Sequence, residues 1–193
     1  MKTKLFLLGF GLSLGVASSG FAATTTGTIA AKLILTAGCL VNGQLATNQT
    51  GVNFGTLDFG TSAATFDTLT ATVVGAGTVG NGIFVRCSTG STYSVQITSS
   101  SIKPTTVYGT ETAQPRYLIN TTTATVGVAY TLYGNTNYTT PIANNTNLVS
   151  SGTVDPLLGD NYPIYGRITG GGTNNVNIPA ATYQDTINIA VNY

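Results

Sequence analysis

The sequence predicts an all-β fold, a two-sheet sandwich of immunoglobulin-like type, and three observations predict it. Past residue 23 no segment keeps a helical period over three turns. Short runs of alternating apolar and polar residues recur instead between clusters of Gly, Asn, Ser and Thr, the pattern of half-buried strands and their turns. The chain also carries two cysteines, an even pair able to staple such a sandwich. Its 193 residues make one domain, long enough to bury a core.

The elements follow in order. Lys2 and Lys4 precede an apolar run over residues 5–16, and Gly20 and Ala22 supply small residues after it. Residues 1–22 therefore read as a secretory signal peptide, with the mature chain starting at Ala23. The run falls short of the ~20 residues that span a bilayer, so membrane insertion is not expected. Residues 23–36 begin Thr-rich and then alternate through Ile29, Ala31, Leu33 and Leu35. Within residues 37–193, strands are expected over 52–59, 69–74, 116–119, 126–133, 163–168 and 183–193. Ile83, Val85 and Cys87 alternate in another, and Tyr93, Val95 and Ile97 follow across Ser88-Thr89-Gly90-Ser91 as the second arm of a hairpin. Seven to nine short strands result.

Charge excludes several classes of function. Seven Lys and Arg oppose six Asp and Glu, and charged residues make up 7% of the chain, against about 25% in an average domain. Such a chain has no basic footprint for nucleic acid, and its surface polarity must come from Thr, Asn, Ser and Gln. The absence of His removes the commonest general base and metal ligand. Asp58, Asp67, Glu111, Asp155, Asp160 and Asp185 stand in no acid-base or metal spacing, and Asp58 and Asp185 occupy turn-like contexts where local backbone bonds are expected. Gly170-Gly171-Gly172 lacks the Lys-Ser/Thr of a phosphate loop. A non-catalytic protein without cofactor or metal is the expectation. Export places Cys39 and Cys87 in an oxidising compartment, where a disulfide is expected, worth roughly 4 kcal/mol by chain entropy. Two buried free thiols are the alternative.

The two ends of the mature chain carry the functional question. Ile187, Ile189, Val191 and Tyr193 alternate up to the final residue, with Asn188, Ala190 and Asn192 on the other face. The first segment is either an edge strand of its own domain, with Ile34 on the polar face in favour, or a strand that pairs elsewhere. In the second case the domain lacks one strand and shows a groove of unpaired backbone, which another chain fills by β-strand addition.

Gly38-Cys39, the run Phe54-Gly55-Thr56-Leu57-Asp58-Phe59-Gly60, Val85-Arg86-Cys87, Tyr130-Thr131-Leu132-Tyr133 and the ending Pro179-Ala180-Ala181-Thr182-Tyr183-Gln184-Asp185-Thr186 with its terminal strand resemble the spore coat protein U domain. Pilins of the archaic (Csu-type) chaperone-usher pathway share that domain. The resemblance implies an incomplete immunoglobulin-like sandwich completed by donor-strand complementation. Its partners would be a periplasmic chaperone, an outer-membrane usher and other copies of itself or related subunits. Export would run through the periplasm to a surface pilus serving attachment and biofilm formation. The implied donor stripe is Ile29, Ala31, Leu33 and Leu35, and the implied groove-edge and chaperone strand is Ile187, Ile189, Val191 and Tyr193. Burying the three larger donor side chains would contribute about 5–9 kcal/mol. A spore or cell coat protein of the same fold is an alternative. So is a secreted carbohydrate-binding sandwich, with Tyr108, Tyr117, Tyr133, Tyr138, Tyr162 and Tyr165 as candidate stacking rings, although many of these fall on faces suited to core packing.

Overall fold

In a computed structural model, which describes residues 25–46, 49–77, 80–170 and 178–193, the alternating runs become strands and no described residue is helical. The leader expected over residues 1–22 lies outside the described residues. The chain divides into two units after Leu35. In the first, residues 25–35 form no strand, and Ile29, Leu33 and Leu35 are exposed, as is Ile34. Their alternation meets no ladder partner among the described residues of the single chain.

The second unit holds all the described strands. They are β1 (Cys39–Val41), β2 (Gln44–Leu45), β3 (Gly55–Leu57), β4 (Thr68–Gly75), β5 (Ile83–Cys87), β6 (Ser94–Ser99) and β7 (Thr106–Tyr108). The second half of the chain adds β8 (Arg116–Asn120), β9 (Val126–Tyr133), β10 (Val154–Asp155), β11 (Gly159–Tyr162), β12 (Tyr165–Thr169), β13 (Tyr183–Gln184) and β14 (Asn188–Asn192). One sheet runs β10-β11-β5-β1-β2; a larger one runs β13-β8-β9-β12-β4-β3, with β7 parallel to β9; β14 and β6 form a separate ribbon.

Period-two alternation decides which side chains close the core. Val41, Ile83 and Val85 come from the first sheet, Val73, Val128, Tyr130, Leu132 and Ile168 from the second, and Val95 and Ile97 from the ribbon. All are buried, and together they make an all-β sandwich around one core.

Two expectations are corrected. The runs at Ile83–Cys87 and Tyr93–Ile97 are not the arms of one hairpin. Both edges of β5 are taken, by β1 and β11, and β6 pairs with β14 instead. Residues 88–91 therefore carry the chain from one sheet to the ribbon. The run expected over 183–193 is likewise two strands, because Asp185 and Thr186 interrupt the ladder between β13 and β14.

Cys39 and Cys87 are joined by a disulfide, Cα atoms 4.0 Å apart. They face each other directly in the β1–β5 ladder, so the bridge links neighbouring strands of one sheet rather than the two layers. At the other end of β1 the chain reverses at Asn42-Gly43, with φ of 50° and 77°. These left-handed conformations are what a two-residue hairpin needs, and Asn-Gly is the pair that adopts them most cheaply.

Candidate functional site

The terminal strand has a ladder on one side only. β14 pairs with β6 from Asn188↔Ser99 to Asn192↔Ser94, and the far side of β6 is covered by residues 145–148. There the Asn145 amide donates to the Ile97 carbonyl at 2.7 Å and the Leu148 amide to the Val95 carbonyl at 2.8 Å. The other edge of β14 carries no strand partner among the described residues.

Along that edge lies a cleft of about 720 Å³. Ile187, Ile189 and Val191 form one wall; Val52, Phe54 and Leu57 form the other. Its floor is the core itself: Val41, Ile83, Leu132 and Ile164 line it while being no more than 2% exposed. Ile187, Ile189 and Val191 pack on the core yet stay only partly buried. They lie along the edge of β14 that has no strand partner among the described residues. Ile187 sits just before β14 and Tyr193 just after it; Tyr193 also lines the cleft and is 42% exposed.

Two polar devices, one buried and one partly buried, hold this geometry. Asn42, 5% exposed, clips the outer wall: its Nδ2 donates to the Phe54 carbonyl and its Oδ1 accepts from the Phe84 amide, both at 2.9 Å. One side chain thus ties the β1–β2 turn, β5 and the segment before β3. The second device sits where the chain enters β14. Asp185 accepts from the Ser101 amide at 2.8 Å and from the Tyr130 hydroxyl at 2.5 Å. Asp185 is therefore not the local turn residue expected of it. Its partners lie far along the chain, whereas Asp58 does cap its own turn by accepting from the Gly60 amide at 2.7 Å.

Arg116, opposite Tyr130 in the ladder, completes the cluster. It is 3% exposed and donates to Ser100 Oγ at 3.1 Å and to the Ile142 carbonyl at 3.2 Å. Burial pulls its pKa below the usual arginine value, against the attraction of Tyr130 and Asp185. Burial pushes the Tyr130 phenol well above its ordinary value, and the Asp185 charge adds to that shift. The cluster is a latch in which burial keeps the Tyr130 phenol protonated at neutral pH.

Among the described residues no three Cys, Asp or Glu are grouped as metal ligands would be. Of the tyrosines considered as stacking rings, Tyr117, Tyr133 and Tyr162 are core residues at 7–8% exposure. The expected terminal-strand residues do come together, on one wall of the cleft. The opposite wall and the two clips were not expected. Asn42-Gly43 was readable as a hairpin turn, but nothing in spacing signals that Asn42 reaches Phe54 or that Arg116 is buried.

A profile described as the Spore Coat Protein U domain matches residues 25–190 of this chain. No curated protein matches it.

Proposed function

The chain belongs to the Spore Coat Protein U domain family, a family of structural pilin-type domains rather than of enzymes, and from that membership we infer that it is a secreted subunit of a surface pilus, polymerised by donor-strand exchange. One observation carries this reading: an open cleft that reaches the core runs along the edge of β14 that has no strand partner among the described residues. A strand laid there gains ladder bonds from β14 and buries every second side chain, the mode of strand addition in which backbone gives affinity and alternate side chains give register.

The donor belongs to residues 23–36 of a neighbouring copy or a related subunit, with Ile29, Ala31, Leu33 and Leu35 facing inward. In the single chain the three larger of these are exposed, Ile29 to 98%, so their burial elsewhere is favourable. During export a periplasmic chaperone would occupy the same edge of Ile187, Ile189, Val191 and Tyr193, and an outer-membrane usher would exchange it for the next subunit's segment. The assembled fibre would serve attachment and biofilm formation.

The test is expression of the chain in a bacterial periplasm with chaperone and usher, with and without residues 23–35. Unheated denaturing gels should show a ladder of polymers that the truncation abolishes, leaving chaperone-bound monomer. A soluble monomer that needs no chaperone, or a ladder that survives truncation, would overturn the reading.

A further inference from the structure

On the outer face of the large sheet, remote in role from the cleft, stands a site that the assembly reading does not use. β12 presents Tyr165 and Arg167 outward while Gly166 and Ile168 face the core. Tyr165 lies between Tyr133 of β9 and Thr72 of β4, and Arg167 between Thr131 and Thr70. Tyr138 reaches over from the loop after β9, with the Arg167 guanidinium carbon 5.4 Å from its ring centre. The Tyr138 ring also stands edge-on to Tyr133, centroids 5.4 Å apart.

The loop is built to hold that ring. Asn135 donates from Nδ2 to Thr139 Oγ1 at 2.7 Å and accepts the Thr139 amide on Oδ1 at 3.0 Å. Its carbonyl takes the Tyr138 amide at 3.3 Å, and the Gly134 amide bonds the Thr140 carbonyl at 3.1 Å. Tyr138 is thereby kept at φ 54°. A bulky residue at positive φ costs about 1–3 kcal/mol and persists only where its surroundings over-determine it, typically at binding sites. Arg167 itself has the Tyr138 ring beside it but no counter-ion among the described residues. The ion pair among the described residues is Lys103–Glu111. A guanidinium held over a ring without a counter-ion leaves its charge available to an anionic group.

We propose that Tyr138, Tyr165 and Arg167, with the Thr70 and Thr72 hydroxyls, form a binding site for an acidic saccharide, a uronic acid residue of a polysaccharide. The pyranose ring stacks on the tyrosine faces, its hydroxyls meet the threonines, and its carboxylate takes the guanidinium donors. An acidic peptide would use the arginine but leave the two rings and the threonines without a role. Because the chain is nearly neutral, with a formal charge of +1 over its full length, recognition rests on this local geometry and not on long-range steering.

The experiment is a titration of the folded full chain, in its complemented or assembled form, with a galacturonic acid oligosaccharide. A galactose oligosaccharide and a glutamate peptide of the same length are the comparators. The uronate should bind saturably and perturb the ring signals of Tyr138 and Tyr165 in the nuclear magnetic resonance spectrum, with both comparators at least about tenfold weaker. Arg167→Gln should weaken it by about 10- to 100-fold; Tyr138→Phe should keep most of the affinity and Tyr138→Ala should lose it. No saturable uronate binding, equal binding of either comparator, or signals that move only elsewhere would overturn the site. The ring signals are read on the unmutated chain, so the outcome stands even if a variant fails to fold.

Discussion

At the scale of single residues, the side chains that shape the cleft are polar and far apart in sequence. Asp185 reaches Ser101 and Tyr130, and Asn42 reaches Phe54 and Phe84. Replacing Tyr130 by Phe removes the hydroxyl that bonds the Asp185 carboxylate. Hydrogen bonds to charged groups are worth about 1.5–3 kcal/mol, so Tyr130→Phe should lower unfolding free energy by about that amount in urea titrations; no change would show that the latch is idle. The same chemistry sets an alkaline limit. Tyr130 and Tyr93 are pushed up chiefly by burial, and Tyr117 is pushed up to about 12 by burial and its bond to Glu111. A group whose folded pKa exceeds its unfolded value stabilises fully below the unfolded value, about 10 for tyrosine, and that contribution is lost as pH rises toward the folded value. Thermal midpoints should therefore be insensitive to these phenols below pH ~10 and fall between about 10 and 12. A loss of comparable size centred below pH 9 would point to other groups. None of this was legible beforehand, since Asp185 reads locally as a turn former and only the fold brings Tyr130 to it.

At the scale of elements, strands with long clean alternation were the readable ones. β9 spans Val126–Tyr133 as expected, and β4, β5 and β8 fall within a residue or two of expectation. The two-residue strands β2, β10 and β13 lack enough residues to alternate, and β7, β1 and β11 are too short or too rich in Gly, Asp and Asn to stand out. Pairing was less readable than existence. Proximity in sequence suggests that β5 and β6 pair, but the disulfide partner β1 and the strand β11 occupy both edges of β5. A cross-strand disulfide that holds β1 beside β5 also holds Cys39 and Val41 in place as part of the cleft lining. Cys87→Ala should cost about 2–5 kcal/mol and reduce the amount of folded subunit recovered from the periplasm. If that variant accumulated and assembled like the parent chain, the bridge would have no structural role.

At the scale of the whole molecule, the fold class and the alternation of residues 187–193 were readable, and the resemblance implied a groove beside the terminal strand, but the residues that face β14 across the cleft were not. Of the described strands only β6 pairs with β14, and the cleft along its other edge is lined by Val52, Phe54 and Leu57, residues distant in sequence that no local pattern marks. That geometry makes a sharp prediction about covalent completion. Residues 24–36 appended after Tyr193 through a flexible linker can fold back onto β14 within the same molecule, turning a bimolecular step into one governed by effective concentration. With the original segment deleted, such a chain should be a monomer that needs no chaperone. Its stability should rise by a large share of the about 5–9 kcal/mol expected for burying three large apolar side chains. Register supplies the control, because a strand shifted by one residue turns every side chain to the other face. Shifting by one would aim Ala30, Lys32 and Ile34 inward in place of Ile29, Ala31, Leu33 and Leu35. Leu33→Asp in the appended segment should therefore undo most of the gain, while Lys32→Asp on the outward face should leave it intact. Equal tolerance of both substitutions, measured by thermal unfolding of the two appended chains, would mean that the segment does not enter the cleft with that stripe inward.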